Sequence, residues 1–145
     1  MKNIYFLRHA KSSWGDFALK DFDRPLSTRG IQDADLMGNY FRSKKIKLDV
    51  VFSSPSKRTS ETFEHFFQLE RPDIEFEASL YHASLDEILS VIFGIPEDSK
   101  NVMVVGHNPS MHQITEYLSN KFINKYPTCC LVALTVDQGW SELSN

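Results

Sequence analysis

The chain has 145 residues, enough for one domain with its own core, and its 41% hydrophobic and 24% charged content is that of an ordinary globular protein. A net charge of -3 excludes an electrostatic case for nucleic acid or an anionic membrane surface as partner, so any bound anion must be met by locally placed basic groups. The first apolar run, residues 3–7, is too brief for a signal-peptide core or a bilayer span, and a cytoplasmic protein is expected. The cysteines, Cys129 and Cys130, are adjacent. They cannot build a disulfide framework, and no Cys/His spacing resembles a metal site, so reduced, half-buried thiols are expected.

No repeat, low-complexity tract or linker divides the chain, which predicts a single domain over residues 1–145. Residues 3–7 mix aromatic and β-branched side chains and predict a buried first strand. Residues 10–27, with Gly15 and Pro25, read as a long loop, and long loops in compact domains are usually functional. Ser27-Thr28 can cap a helix over 29–43, whose Ile31, Ala34, Gly38 and Phe41 share one face. Residues 49–53 predict a second strand, and Ser54-Pro55 reads as N-cap and first residue of a helix to about Leu69. A short strand is expected at 74–76, then a helix capped by Ser84 and running to Phe93. A fourth strand at 101–105 closes on Gly106; a helix over 110–118 and a last strand over 130–136 follow. Near-continuous apolar strands alternating with helices predict an α/β fold, a three-layer α/β/α sandwich with a mostly parallel central sheet.

Ligands of an open parallel sheet bind beyond the carboxyl ends of its strands. Arg8-His9 leaves the first strand there, Arg58 stands one turn into the helix after the second, and Gly106-His107-Asn108 leaves the fourth. Each has a bland alternative: a chance Arg-His pair, a solvated helix arginine, and a histidine that caps the next helix. Their joint arrival at one edge favours a site. Two guanidiniums and two imidazoles at one edge repel one another unless an anion lies between them, and the arginine fork suits phosphate oxygens. No Walker-type glycine loop is present, and no carboxylate cluster follows the strands, so neither a P-loop nor a metal-dependent mechanism is indicated and no cofactor is expected.

Leu7-Arg8-His9-Ala10 resembles the Arg-His-Gly/Ala signature of the histidine phosphatase superfamily. The run from Ser54-Pro55 through Arg58 to Thr62 resembles its Ser-Pro-x-x-Arg-x-x-x-Thr segment, and Gly106-His107-Asn108 its second-histidine segment. Asp23-Arg24-Pro25-Leu26-Ser27 and Arg29-Gly30 extend the likeness to the small SixA-type phosphohistidine phosphatases over nearly the whole chain. The resemblance implies a phosphoglycerate mutase-like fold. It makes His9 a phosphate-accepting nucleophile, with Arg8, Arg58 and a protonated His107 completing the pocket and no metal required. The substrate would be a phosphorylated protein or a small phosphorylated molecule.

Many superfamily members carry a glutamate general acid after the third strand, where this chain reads Leu80-Tyr81-His82-Ala83. An imidazole leaves phosphorus with less need of a proton than an alkoxide does, so the missing carboxylate favours phosphohistidine or another phosphoramidate. Asp23, His82 and Asn108 are the candidates for an acid or a substrate contact, and Asp23 could equally pair with Arg24 or cap a turn. Trp14 either walls the pocket or anchors its loop. A phosphoglycerate-type mutase fits less well, because no long basic insertion is present to retain a bisphosphate. A non-catalytic phosphate- or phosphohistidine-binding module would be expected to lack a member of the pocket.

Overall fold

The computed structural model describes residues 1–145. Its strands are β1 (Lys2–Arg8), β2 (Val50–Ser53), β3 (Ile74–Phe76), β4 (Asn101–Gly106) and β5 (Leu131–Val136). The helices are α1 (Thr28–Ser43), α2 (Lys57–Phe67), α3 (Leu85–Phe93) and α4 (Ser110–Ser119). The strands form one sheet in the order β3-β2-β4-β1-β5. β1, β2, β3 and β4 run parallel, and β5 joins the edge of β1 antiparallel.

Strand alternation divides the core between two faces. Ile4, Phe6, Phe52, Val102 and Val104 pack on Ile88 and Ile92 of α3, Met111 and Ile114 of α4, and the fully buried Trp140. Tyr5, Leu7, Val51, Met103 and Val105 point the other way, onto Ala34 and Phe41 of α1 and Phe63, Phe66 and Phe67 of α2. This is the expected α/β/α sandwich. Both faces are covered, which is why the strands carry no polar alternation.

Local signals account for most helix starts. Ser27 accepts a hydrogen bond from the Gly30 amide at 3.0 Å, and Ser84 and Glu87 form a reciprocal capping box on α3. The start of α2 differs from expectation. Ser56, not Ser54, is its N-cap, and Pro55 precedes the cap rather than opening the helix. The cause is that the Ser54 hydroxyl is engaged elsewhere, by an imidazole described below, while Ser56 bonds the first turn.

α1 and α2 meet closely at Gly38, where an added Cβ would lie 2.0 Å from the Phe66 carbonyl oxygen and 2.7 Å from its Cα. That neighbour is helical backbone and cannot rotate away. Gly38→Ala is therefore expected to destabilise the fold by about 3 kcal/mol, read as a lower midpoint in urea with an unchanged slope. A midpoint equal to the wild type's would show that the helices separate without cost.

β4 lies between β1 and β2, with Arg8 opposite Gly106 and Ser53 opposite Val105. The carboxyl ends of these strands therefore open side by side. Their exits carry Arg8-His9, Ser54 and His107.

Candidate active site

His9 is buried, and its backbone is fixed on both sides: its amide donates to the Gly106 carbonyl at 3.0 Å, and its carbonyl accepts from the Cys129 amide at 2.9 Å. Its Nδ1 lies 2.7 Å from the Ala10 carbonyl oxygen. A carbonyl only accepts, so Nδ1 carries the proton and Nε2 keeps its lone pair free. Burial, reinforced by the charges of Arg58 and Arg8, pushes the His9 pKa down to about 4. Near pH 7 the ring is therefore neutral.

The Ala10 amide donates to Thr62 Oγ1 at 3.0 Å, and that hydroxyl donates to the Arg58 carbonyl at 2.7 Å. This ties the residue after His9 to the first turn of α2. Arg58 is buried, and its guanidinium grips a single residue. Nη1 donates to the Asp21 carbonyl at 2.7 Å and Nη2 to Asp21 Oδ2 at 3.0 Å.

His107 sits with its ring centroid 5.1 Å from that of His9. Its Nε2 is 2.9 Å from Ser54 Oγ, which itself accepts from the Ser56 amide at 3.3 Å. His107 Nε2 and the Ser54 hydroxyl thus share a hydrogen bond, and Nδ1 is buried without a partner. Burial first, then the His9 and Arg58 charges, push the His107 pKa down to about 3. Burial thus disfavours the charged ring that the resemblance implies for His107. Capping is also ruled out, because α4 has no side-chain cap.

Arg8 donates from Nη1 to the Tyr126 carbonyl at 3.0 Å and leaves Nε buried and unpaired. Asn108 shares that carbonyl, donating from Nδ2 at 2.8 Å. Tyr126 is anchored in turn by its hydroxyl, which donates to the Phe6 carbonyl at 2.6 Å. Asn108 is thus a neighbour and support of Arg8.

The remaining candidates separate. Asp23 is exposed and its carboxylate has no hydrogen-bond or ion-pair partner; the partner of Arg24 is Asp21, at 3.1 Å. His82 has a positive φ of 56°, and its exposed ring lies 4.0 Å from Asp21 Oδ2. Trp14 is exposed under the Arg24 guanidinium, which stacks 3.2 Å from its ring centroid. Both cysteines are free thiols, with Cys129 buried. No helix is long and apolar enough to cross a membrane.

Sequence reasoning missed Asp21, Tyr81 and Ser54 as parts of this site. The Tyr81 hydroxyl donates to Asp21 Oδ2 at 2.6 Å, and its ring stands edge-on to His107 at 5.5 Å. Asp21 lies three residues before Arg24, a spacing that suits an ion pair across one turn and was the available signal.

The description "Histidine phosphatase superfamily (branch 1)" fits residues 4–88. An uncharacterized Mycobacterium tuberculosis protein is 28% identical over 94% of this chain and 91% of its own length. The phosphohistidine phosphatase SixA of Escherichia coli is 34% identical over a shorter stretch, 42% of this chain and 37% of its own. Among solved structures, a putative phosphohistidine phosphatase SixA from Agrobacterium tumefaciens superposes with a TM-score of 0.85 at 27% identity, covering 91% of this chain and 90% of that one. With the paired histidines and arginines at one sheet edge and the match spanning residues 4–88, the chain belongs to the histidine phosphatase superfamily, branch 1, with a SixA-type, phosphoglycerate mutase-like fold.

Proposed function

We propose that this phosphatase works without a metal and transfers the phosphoryl group of its substrate to His9 Nε2 before water releases it. The observation that supports this most directly is the His9 ring, buried, neutral and with its proton tied to the Ala10 carbonyl, so that one lone pair is presented beside two guanidiniums. In the first step Nε2 attacks phosphorus in line as the bond from phosphorus to the leaving atom breaks. Arg8, Arg58 and His107 stabilise the phosphoryl oxygens in that transition state. In the second step water attacks phosphorus, the N–P bond breaks, and inorganic phosphate and neutral His9 are regenerated.

The substrate class follows from what stands at the acid position. Burial and the neighbouring Asp21 both raise the Tyr81 pKa, which makes its hydroxyl a poor proton donor. His82 is the other titratable side chain there, and it is exposed beside Asp21. The pocket is therefore suited to a leaving group that needs little protonation, and phosphohistidine, on a protein or a peptide, is the favoured substrate.

Incubation with an aryl phosphate or phosphoramidate in the presence of a chelator tests this reading. It expects phosphate release, and no release from either compound would overturn it. The pH dependence gives a second check. An ordinary histidine loses its lone pair below about pH 6.5, but His9 keeps it down to about pH 4. The acid limb of kcat/KM is thus expected near pH 4. A limb near 6.5 would mean that the nucleophile is an unperturbed imidazole.

A further inference from the structure

We propose that Asp21 is a positioning residue for phosphate binding: by holding Arg58 through two hydrogen bonds, it sets the direction in which the guanidinium meets a phosphoryl oxygen. The inference rests on Arg58 being a phosphate ligand. Asp21 begins the 3-10 turn Asp21–Asp23, in the long loop that follows the nucleophile. It is the junction of three segments. Arg58 reaches it from α2 with both Nη atoms, Tyr81 from the turn after β3 with its hydroxyl, and Arg24 from the same loop at 3.1 Å.

The geometry leaves Arg58 useful. A guanidinium has five N–H donors in a rigid plane, and Asp21 takes one from each Nη. The Nε–H and the second hydrogen of each Nη remain. Fixing a planar fork at two points removes its rotation, so less conformational freedom is lost when an anion binds. Without that hold, the Arg58 guanidinium would stand near that of Arg8 with no carboxylate beside it to oppose their repulsion.

Asp21 is not a proton donor. Burial alone would raise its carboxyl pKa, but the Tyr81 hydroxyl and the Arg58 guanidinium outweigh burial and hold it well below the usual carboxylate range. It remains ionised throughout the working pH range, and its contribution runs through Arg58.

The test is the binding of inorganic phosphate, measured by calorimetry on the wild type, Asp21→Asn, Arg58→Ala and the double variant. Asparagine keeps the shape and removes the charge. Asp21→Asn is expected to weaken phosphate binding about tenfold, as the loss of one charge-assisted hydrogen bond would. In the Arg58→Ala background the same change is expected to have no further effect. Tyr81→Phe, which spares the ion pair, should weaken binding about threefold. Wild-type affinity in Asp21→Asn, or losses that multiply in the double variant, would overturn the proposal. Turnover separates this from the phosphatase reading. Asp21→Asn should raise KM by the same tenfold while moving kcat much less. A chain that shows the binding pattern and hydrolyses nothing upholds the role of Asp21 and removes the phosphatase.

Discussion

His9→Ala is expected to lose phosphatase turnover by a factor on the order of 10⁴ or more, with folding intact. The size follows from the absence of a substitute. His107 is the nearest other imidazole, but its Nε2 is engaged by Ser54 and its Nδ1 is buried. The fold is spared because the bonds that hold residue 9 are made by its backbone, to Gly106 and Cys129, and survive truncation of the side chain. The residual pocket of Arg8, Arg58 and His107 should still bind inorganic phosphate. The measurement is phosphate release from an aryl phosphate, with a thermal melt and a phosphate titration as controls. Activity within tenfold of the wild type, in a folded variant, would assign the nucleophile elsewhere.

A second large effect is expected in the choice of leaving group. A phosphohistidine peptide or simple phosphoramidate should be turned over with a kcat/KM about 10²–10⁴ higher than that for an alkyl phosphate, the range that a general acid is worth when its proton is needed. The cause lies in the segment after β3. A carboxylic acid there would protonate a departing alkoxide, whereas Tyr81 donates its proton to Asp21 and has a raised pKa. Imidazole and ammonia leave phosphorus already protonated or nearly so, and lose little. Comparable constants for alkyl phosphate and phosphoramidate would show that a proton donor operates after all, and His82→Ala would then identify it by abolishing only the alkyl activity.

Much of this was legible in the sequence because the signals are local or follow from topology. Four strands appear as apolar runs, and the parallel alternation places Arg8-His9, Arg58 and His107 at one edge. What was hidden depends on contacts between distant segments. Ser54 followed by proline looks like a helix start in isolation; only the approach of His107 from β4 shows why the hydroxyl turns away and Ser56 caps instead. Asp21 and Asp23 are both acidic residues of one loop, and nothing local ranks them. The 3-10 turn does, by directing Asp21 toward Arg58 and leaving Asp23 in solvent. The charge of His107 is hidden for a related reason. A pocket made for an anion suggests cations throughout, yet burial beside a guanidinium and a second imidazole favours the neutral ring.

The acidic side of this chemistry also affects stability. His9 and His107 have folded pKa values of about 4 and about 3, both depressed, so the unfolded chain binds more protons once the pH drops below about 6.5. Stability from these groups is complete above pH 6.5 and declines as the pH falls toward about 3. The denaturation midpoint is expected to drop across that window, and to drop less in His107→Ala when each protein is compared with itself at pH 7.

The most direct test of the central claim is to trap the phosphoryl group on the enzyme. Mixing with phosphoramidate, quenching at alkaline pH where an N–P bond survives, and mapping the modified peptide by mass spectrometry should place one phosphoryl group on His9, formed at least as fast as phosphate appears. A phosphoryl group on any other residue, or turnover with none formed on the enzyme, would contradict it.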